Sequence, residues 1–70
     1  MTVENARLVS LRKSKNLTQE QLAENVGITQ AMVARIESGE RDPSSSNKIK
    51  LAKFFGVTVE HLFYENRYGE

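Results

Sequence analysis

The side chains of this sequence that could act as an acid, a base or a nucleophile do not form a recognisable catalytic set. There is no cysteine, and His61 is the one histidine. A nucleophile, base and orienting group cannot be assembled from these residues, and no pair of carboxylates falls in a predicted cleft. Disulfides and the common zinc sites are excluded as well. We therefore expect no enzyme activity, no cofactor and no metal ion.

The most informative spacing lies in residues 19–38, where two short helical patterns meet across Gly27. Only Ile28 separates this glycine from the cap of the next helix. Because the connection is so short, the two helices must cross steeply, with a small residue (Ala23) where the backbones approach and an aliphatic anchor (Val33) in the second helix. This pattern predicts a helix-turn-helix, whose second helix enters the major groove of double-stranded DNA.

Capping residues and hydrophobic spacing predict five short helices around one core. Residues 62–68 fit either a frayed helix end or a short terminal strand. The first is expected at residues 4–15. Thr18, with Gln21 completing a capping box, is expected to begin the second helix. The later caps are expected at Thr29, Ser44 and Thr58. Helices two to four are expected to end at Gly27, Gly39 and Gly56.

The apolar residues of the fourth and fifth helices indicate which positions face inward. In the fourth helix these are expected at Ile49, Leu51, Ala52 and Phe55. In the fifth they are expected at Val59, Leu62 and Phe63. Lys48, Lys50 and Lys53 are interpreted as a solvated face rather than as a second contact with DNA.

Length and charge limit the class of protein without identifying it. Seventy residues suffice for one small domain, expected at 1–70 with its core at 4–63 and a tail at 64–70. Ten Lys and Arg against nine Asp and Glu give a net charge of +1, so net charge alone does not indicate a nucleic-acid partner. No apolar run approaches the ~18 residues of a membrane span, and no signal-peptide pattern is present, which favours a cytoplasmic protein.

The stretch from Leu11 to Gln30, LRKSKNLTQEQLAENVGITQ, resembles the opening of Xre-type domains, the family of lambda-repressor and Cro-like regulators. Residues 36–44 and 51–63 fit the same pattern, so the resemblance covers about residues 4–63. It implies a compact all-α, five-helix, lambda-repressor-like domain that binds operator DNA, usually as a dimer. The sequence departs from the family pattern at Ser45, where leucine is frequent, and this predicts a weak start to the fourth helix.

The resemblance also implies roles for individual residues. Gln30 is expected to pair with an adenine, while Gln19 supports Gln30 and touches a phosphate. The expected base contacts are Gln30, Ala31, Ala34 and Arg35, of which Arg35 reaches either a guanine or a phosphate. The expected phosphate contacts are Thr18, Gln19, Thr29, Ser38 and Arg41. Arg12 and Glu37 match a family pair that ties helix one to helix three.

Two hypotheses about function follow from these patterns. The first is a sequence-specific regulator of transcription, a dimeric repressor of phage, mobile-element or restriction-modification controller type that reads a palindromic operator. Its favoured dimer contacts are the aromatic residues Phe63, Tyr64 and Tyr68 near the end of the chain. The alternative is that these side chains fold back onto the chain's own core. The second hypothesis is an antitoxin-like module that binds a partner protein, for which the aromatic tail is the supporting feature. No small-molecule ligand is evident in either case.

Overall fold

The computed structural model describes residues 4–64, and in that part the chain forms five helices and no strand. Their bounds are α1 Ala6–Ser14, α2 Gln19–Val26, α3 Gln30–Ser38, α4 Ser45–Phe55 and α5 Glu60–Tyr64. The α5 segment is a single wide turn of π type. The all-α, five-helix prediction is confirmed, although α1 is shorter than expected at both ends. None of these helices has the length and apolar character needed to cross a membrane.

The helices begin where the capping residues predict. Thr18 and Gln21 form a reciprocal capping box, with the Thr18 hydroxyl accepting from the Gln21 N–H at 3.0 Å and the Gln21 side chain accepting from the Thr18 N–H at 2.9 Å. The hydroxyls of Thr29, Ser44 and Thr58 each accept from the N–H three residues later. Because Ser44 supplies this cap, α4 begins directly at Ser45. The weak start expected from Ser45 stays a prediction.

Gly27 makes the turn between α2 and α3 and adopts a left-handed conformation with a φ of 87°. Its N–H donates to the Ala23 carbonyl at 2.8 Å, and the Ile28 N–H donates to the same carbonyl at 3.0 Å. These two bonds close the end of α2 as the chain reverses. The turn therefore makes α3 cross α2. These two helices form the most extensive helix–helix contact among the described residues.

The core contains side chains from all five helices. Its buried members are Leu8, Leu22, Ala23, Val33, Ile36, Leu51, Ala52, Leu62 and Phe63. Met32 packs against this core while remaining partly exposed.

The structure corrects the predicted inward face of α4. Ile49 is 48% exposed, whereas Lys48 is buried together with Leu51 and Ala52. Positions 48, 51 and 52 follow the i, i+3, i+4 spacing of one helix face, and position 49 lies one residue off that face. The prediction that Lys48 is solvated was therefore wrong, and so was the inward placement of Ile49.

Gly27 offers a test of how strongly the turn depends on its backbone conformation. A Cβ built at this position meets no atom within 4 Å, so substitution is limited by the positive φ alone. Gly27→Ala should lower the free energy of unfolding by about 1 kcal/mol, because an L-residue is strained in this region. Gly27→Asn should cost less, because asparagine tolerates the left-handed conformation better. Urea denaturation of both variants checks this, and equal losses would contradict the explanation.

Candidate nucleic-acid interface

Helix α3 has one face in the core and the opposite face in solvent. Its buried side chains are Val33, Ile36 and Glu37. Its outer face carries Gln30, Ala31, Arg35 and Ser38, which are exposed, and Ala34, which is half-buried. The spacing of these five residues repeats with the helical period, so they lie on one side of α3. The structure thus places all four expected base-contacting residues on a single outer face.

The first turns of α2 and α3 each provide backbone donors. The Thr18 hydroxyl is used by the Gln21 N–H, and the Thr29 hydroxyl by the Met32 N–H at 3.1 Å. The two residues after each cap have N–H groups with no carbonyl one turn earlier in their own helix. Such N–H groups, at the positive end of a helix dipole, suit a phosphate oxygen.

A largely buried ion pair fixes the C-terminal end of α3. The Arg12 Nε lies 2.6 Å from Glu37 Oε2, and the Arg12 Nη2 donates to Glu37 Oε1 at 3.2 Å. The side chains are only 12% and 6% exposed, respectively. The remaining Arg12 nitrogen donates to the Leu17 carbonyl at 2.8 Å. The planar guanidinium thereby joins α1, the turn before α2 and the last full turn of α3.

Gln19 is held by the same carboxylate. Its side-chain amide donates to Glu37 Oε1 at 3.0 Å, so the described contact of Gln19 is with Glu37 rather than with Gln30. The Glu37 backbone carbonyl also accepts from the Asn5 N–H at 2.9 Å. Sequence reasoning did not find the Gln19 bond, because contacts between helices that are distant in sequence leave no periodic signal.

The loop after α3 folds back against the end of that helix. The Arg41 N–H donates to the Arg35 carbonyl at 3.2 Å, and the Ser38 hydroxyl donates to the same carbonyl at 3.1 Å. The Arg41 side chain is exposed. The structure therefore brings Arg41 and Ser38 to the C-terminal end of the outer face of α3.

Lys48 is a buried cation that sequence reasoning assigned to solvent. Its Nζ donates to the Tyr64 hydroxyl at 2.9 Å and lies 3.3 Å from Asp42 Oδ2. The hydrogen bond to Tyr64 is the main influence raising the lysine pKa, with Asp42 adding to the rise and burial opposing it. Stability from these contacts is therefore present below the ordinary lysine pKa and is lost as the pH rises through the raised value.

The candidate dimer contacts differ in how far they are buried. Phe63 is 6% exposed and belongs to the chain's own core, so its expected role as a dimer contact is corrected. Its ring is the contribution of α5, together with Leu62, to the buried core. Tyr64 remains 39% exposed, and Tyr68 lies outside the described residues.

Comparison with known proteins identifies relatives along nearly the whole described chain. The profile of the helix-turn-helix family HTH_3 matches residues 8–62. The uncharacterized HTH-type transcriptional regulator MJ0272 of Methanocaldococcus jannaschii is 44% identical over 61 residues, which is 86% of this chain and 92% of that protein. The restriction-modification controller protein C.AhdI of Aeromonas hydrophila has a similar structure, with a TM-score of 0.76 and 37% identity over 84% of this chain and 89% of that one.

Two relatives with named roles act in opposite directions. The transcriptional activator BcrR of Enterococcus faecalis is 41% identical over 58 residues, covering 83% of this chain and 28% of the activator. The cryptic phage CTXphi repressor RstR of Vibrio cholerae is 36% identical over 56 residues, covering 80% of this chain and 50% of the repressor. The fold is thus shared by proteins that activate and by proteins that repress.

The Arg12–Glu37 pair can be tested with a double-mutant cycle. Glu37→Leu should lower the free energy of unfolding by about 3 kcal/mol, because it leaves the guanidinium buried without its counter-charge. Arg12→Leu should cost a similar amount for the opposite reason. The double variant should lose clearly less than the sum, since neither charge remains buried. Urea denaturation, with trimethylamine N-oxide added to keep the single variants folded, measures all four proteins. Additive losses would contradict a direct interaction.

Proposed function

Since the chain belongs to the helix-turn-helix family HTH_3 and is a DNA-binding transcriptional regulator, we propose that it reads a palindromic operator as a homodimer. The observation that carries this proposal is the one-sided burial of α3. Val33, Ile36 and Glu37 hold the helix, while its opposite face presents short or hydrogen-bonding side chains to solvent. A helix held in this way has the dimensions and surface to enter a major groove.

Sequence reading is assigned to the N-terminal half of α3. Gln30 lies in its first turn, where side chains project deepest into the groove, and its amide pairs with the N6 and N7 of an adenine. Ala31 and Ala34 contact thymine methyl groups. Arg35, one turn after Ala31, reaches a guanine or a phosphate. Because few of these readers form hydrogen bonds, the shape of the DNA contributes to specificity.

Phosphate contacts hold the reading helix in register. Thr18 and Gln19 lie at the N-terminus of α2, where backbone N–H groups face one DNA strand. Thr29 does the same at the start of α3. At the other end of the outer face, Ser38 and Arg41 contact a second stretch of backbone. These contacts carry no sequence information directly, but they determine which bases α3 meets.

Dimerisation supplies the contacts that one copy lacks. Two copies related by a two-fold axis place their α3 helices about 34 Å apart, in successive major grooves on one side of the duplex. Tyr64 and Ile49 are the exposed large hydrophobic side chains of the described residues, and Tyr64 is the proposed dimer contact among them. A bound dimer represses by covering promoter DNA, a role that the phage repressor RstR supports by its similarity.

The same two exposed residues favour a second candidate function, the binding of a partner protein. A surface of this kind accepts either a second copy or another chain. Sedimentation of the purified protein separates the two. A dimer that binds DNA without any addition supports the proposed function, and a monomer that co-purifies from its host with a stoichiometric partner supports the alternative.

Selection of bound sites from random duplex DNA tests the reading role of Gln30. The wild-type protein should enrich a palindrome whose half-site centres lie about one helical turn apart. Gln30→Ala should weaken binding to that operator by about 1–3 kcal/mol and relax the preference at one position of each half-site. Asn25→Ala is the matched control, because Asn25 is an exposed amide on α2 that bonds to its own helix. Unchanged affinity and base preference for Gln30→Ala would contradict the assignment.

Salt dependence tests the phosphate contact of Arg41. Arg41→Ala should weaken binding to operator and to unrelated duplexes alike, and it should reduce the slope of log affinity against log salt by about one per half-site contact. Lys50→Ala, which removes one exposed cation from α4, is the control for net charge. If Arg41→Ala and Lys50→Ala change the slope equally, Arg41 makes no particular phosphate contact.

A further inference from the structure

Lys48 occupies a place where a charge is expensive to bury. It shares the inner face of α4 with Leu51 and Ala52, and its side chain is 11% exposed. Removing an ammonium group from water costs free energy unless other groups compensate for the lost hydration. The groups around Lys48 must therefore compensate for its lost hydration, and their positions indicate the role of this cation.

On one side, the ammonium group of Lys48 is held by two aromatic residues at the end of the described chain. Its Nζ donates to the Tyr64 hydroxyl at 2.9 Å and lies 4.8 Å from the centroid of the Tyr64 ring. The Phe63 ring centroid lies 5.8 Å away. A hydroxyl and two ring faces stabilise a cation without neutralising it. The ammonium group is thus held in one place with its full charge available.

On the other side, that charge meets the loop between α3 and α4. Lys48 Nζ lies 3.3 Å from Asp42 Oδ2, and the Asp42 side chain is 65% exposed. Asp42 directly follows Arg41, whose N–H is bound to the last turn of α3, and directly precedes Pro43, which is buried. Asp42 is therefore an exposed carboxylate within one residue of the proposed phosphate contact.

We propose that Lys48 is a positioning residue for DNA binding, which draws the Asp42 carboxylate toward α4 and neutralises it beside Arg41. Without Lys48, the carboxylate is free to pair with Arg41 or to face the DNA backbone, and either arrangement weakens phosphate binding. Tyr64 contributes by holding the ammonium group in reach of Asp42. This inference rests on the proposed function, because it assumes that Arg41 contacts a phosphate.

The direct test replaces Lys48 with a side chain that suits its buried surroundings. Lys48→Met keeps the length of the side chain and removes the charge, and an apolar residue at a buried position should leave the protein folded. Affinity is measured against a mixed-sequence duplex of about 30 base pairs, which is long enough for a dimer and needs no knowledge of the operator. At low salt, Lys48→Met should bind about three- to fivefold more weakly than Lys50→Met, which has the same net charge.

A second pair of variants separates the proposed role from a general loss of structure. Lys48→Met/Asp42→Asn removes the unpaired carboxylate and should recover most of the lost affinity. Lys48→Met/Glu60→Gln removes an exposed carboxylate on α5 instead and should recover little.

Tyr64→Phe keeps the ring but removes the hydroxyl, and should weaken binding in the same direction as Lys48→Met by a smaller factor. Thermal unfolding confirms that each variant is folded at the temperature used.

The outcomes distinguish this inference from the function on which it rests. If Lys48→Met binds DNA as well as Lys50→Met, or if Asp42→Asn and Glu60→Gln restore binding equally, the positioning role is overturned. If instead Arg41→Ala and its control Lys50→Ala change the salt slope equally, the proposed phosphate contact of Arg41 is overturned, and with it the premise of this inference. Weak binding by Lys48→Met that only Asp42→Asn restores, together with a reduced slope for Arg41→Ala, supports both.

Discussion

The carboxylate of Glu37 is the point at which three helices of this protein are joined. It accepts two hydrogen bonds from Arg12 of α1 and one from Gln19 at the start of α2, while it sits on α3 itself. Each partner is needed, because a buried carboxylate without hydrogen bonds would disfavour the folded state. The orientation of α3 relative to the first turn of α2 is therefore fixed by a polar contact as well as by apolar packing. Since the proposed phosphate and base contacts lie on these two segments, their relative position depends on Glu37.

Apolar packing and the Glu37 cluster act at different points along α3. Val33 and Ile36 bind the helix to the core through contacts that fix its distance but leave some freedom to slide or rotate. The hydrogen bonds of Glu37 require particular atoms at particular distances, so they remove that freedom. At the other end, the Thr29 cap and the left-handed Gly27 fix where the helix begins. The orientation of the outer face is thus set by contacts within the protein, independently of DNA.

Local rules made much of this architecture predictable, and long-range contacts account for what they missed. Thr18, Thr29 and Ser44 were recognisable as caps because capping depends on residues only three positions apart. Lys48 was assigned to solvent because its partners Asp42 and Tyr64 come from a loop and from the last helix, and no local pattern reveals them. The burial of Phe63 was missed for a related reason. An aromatic side chain near a chain end suits either its own core or a partner, and only the packing of α5 decides between them.

An orientation set in advance by internal contacts has a particular value for a reading face as simple as this one. Gln30 and Arg35 are its only side chains with several hydrogen-bonding groups, so little binding free energy is available to order a mobile surface. Arg12 and Lys48, whose side chains are largely removed from solvent, reduce the free energy needed to order that surface. They do so in different ways. The guanidinium of Arg12 is planar and binds the Glu37 carboxylate through two nitrogens, which fixes an angle between helices. The ammonium of Lys48 is closer to a point charge, which fixes the position of a loop without imposing an orientation. The choice of arginine between helices and lysine beside a loop therefore follows from the geometry that each location requires.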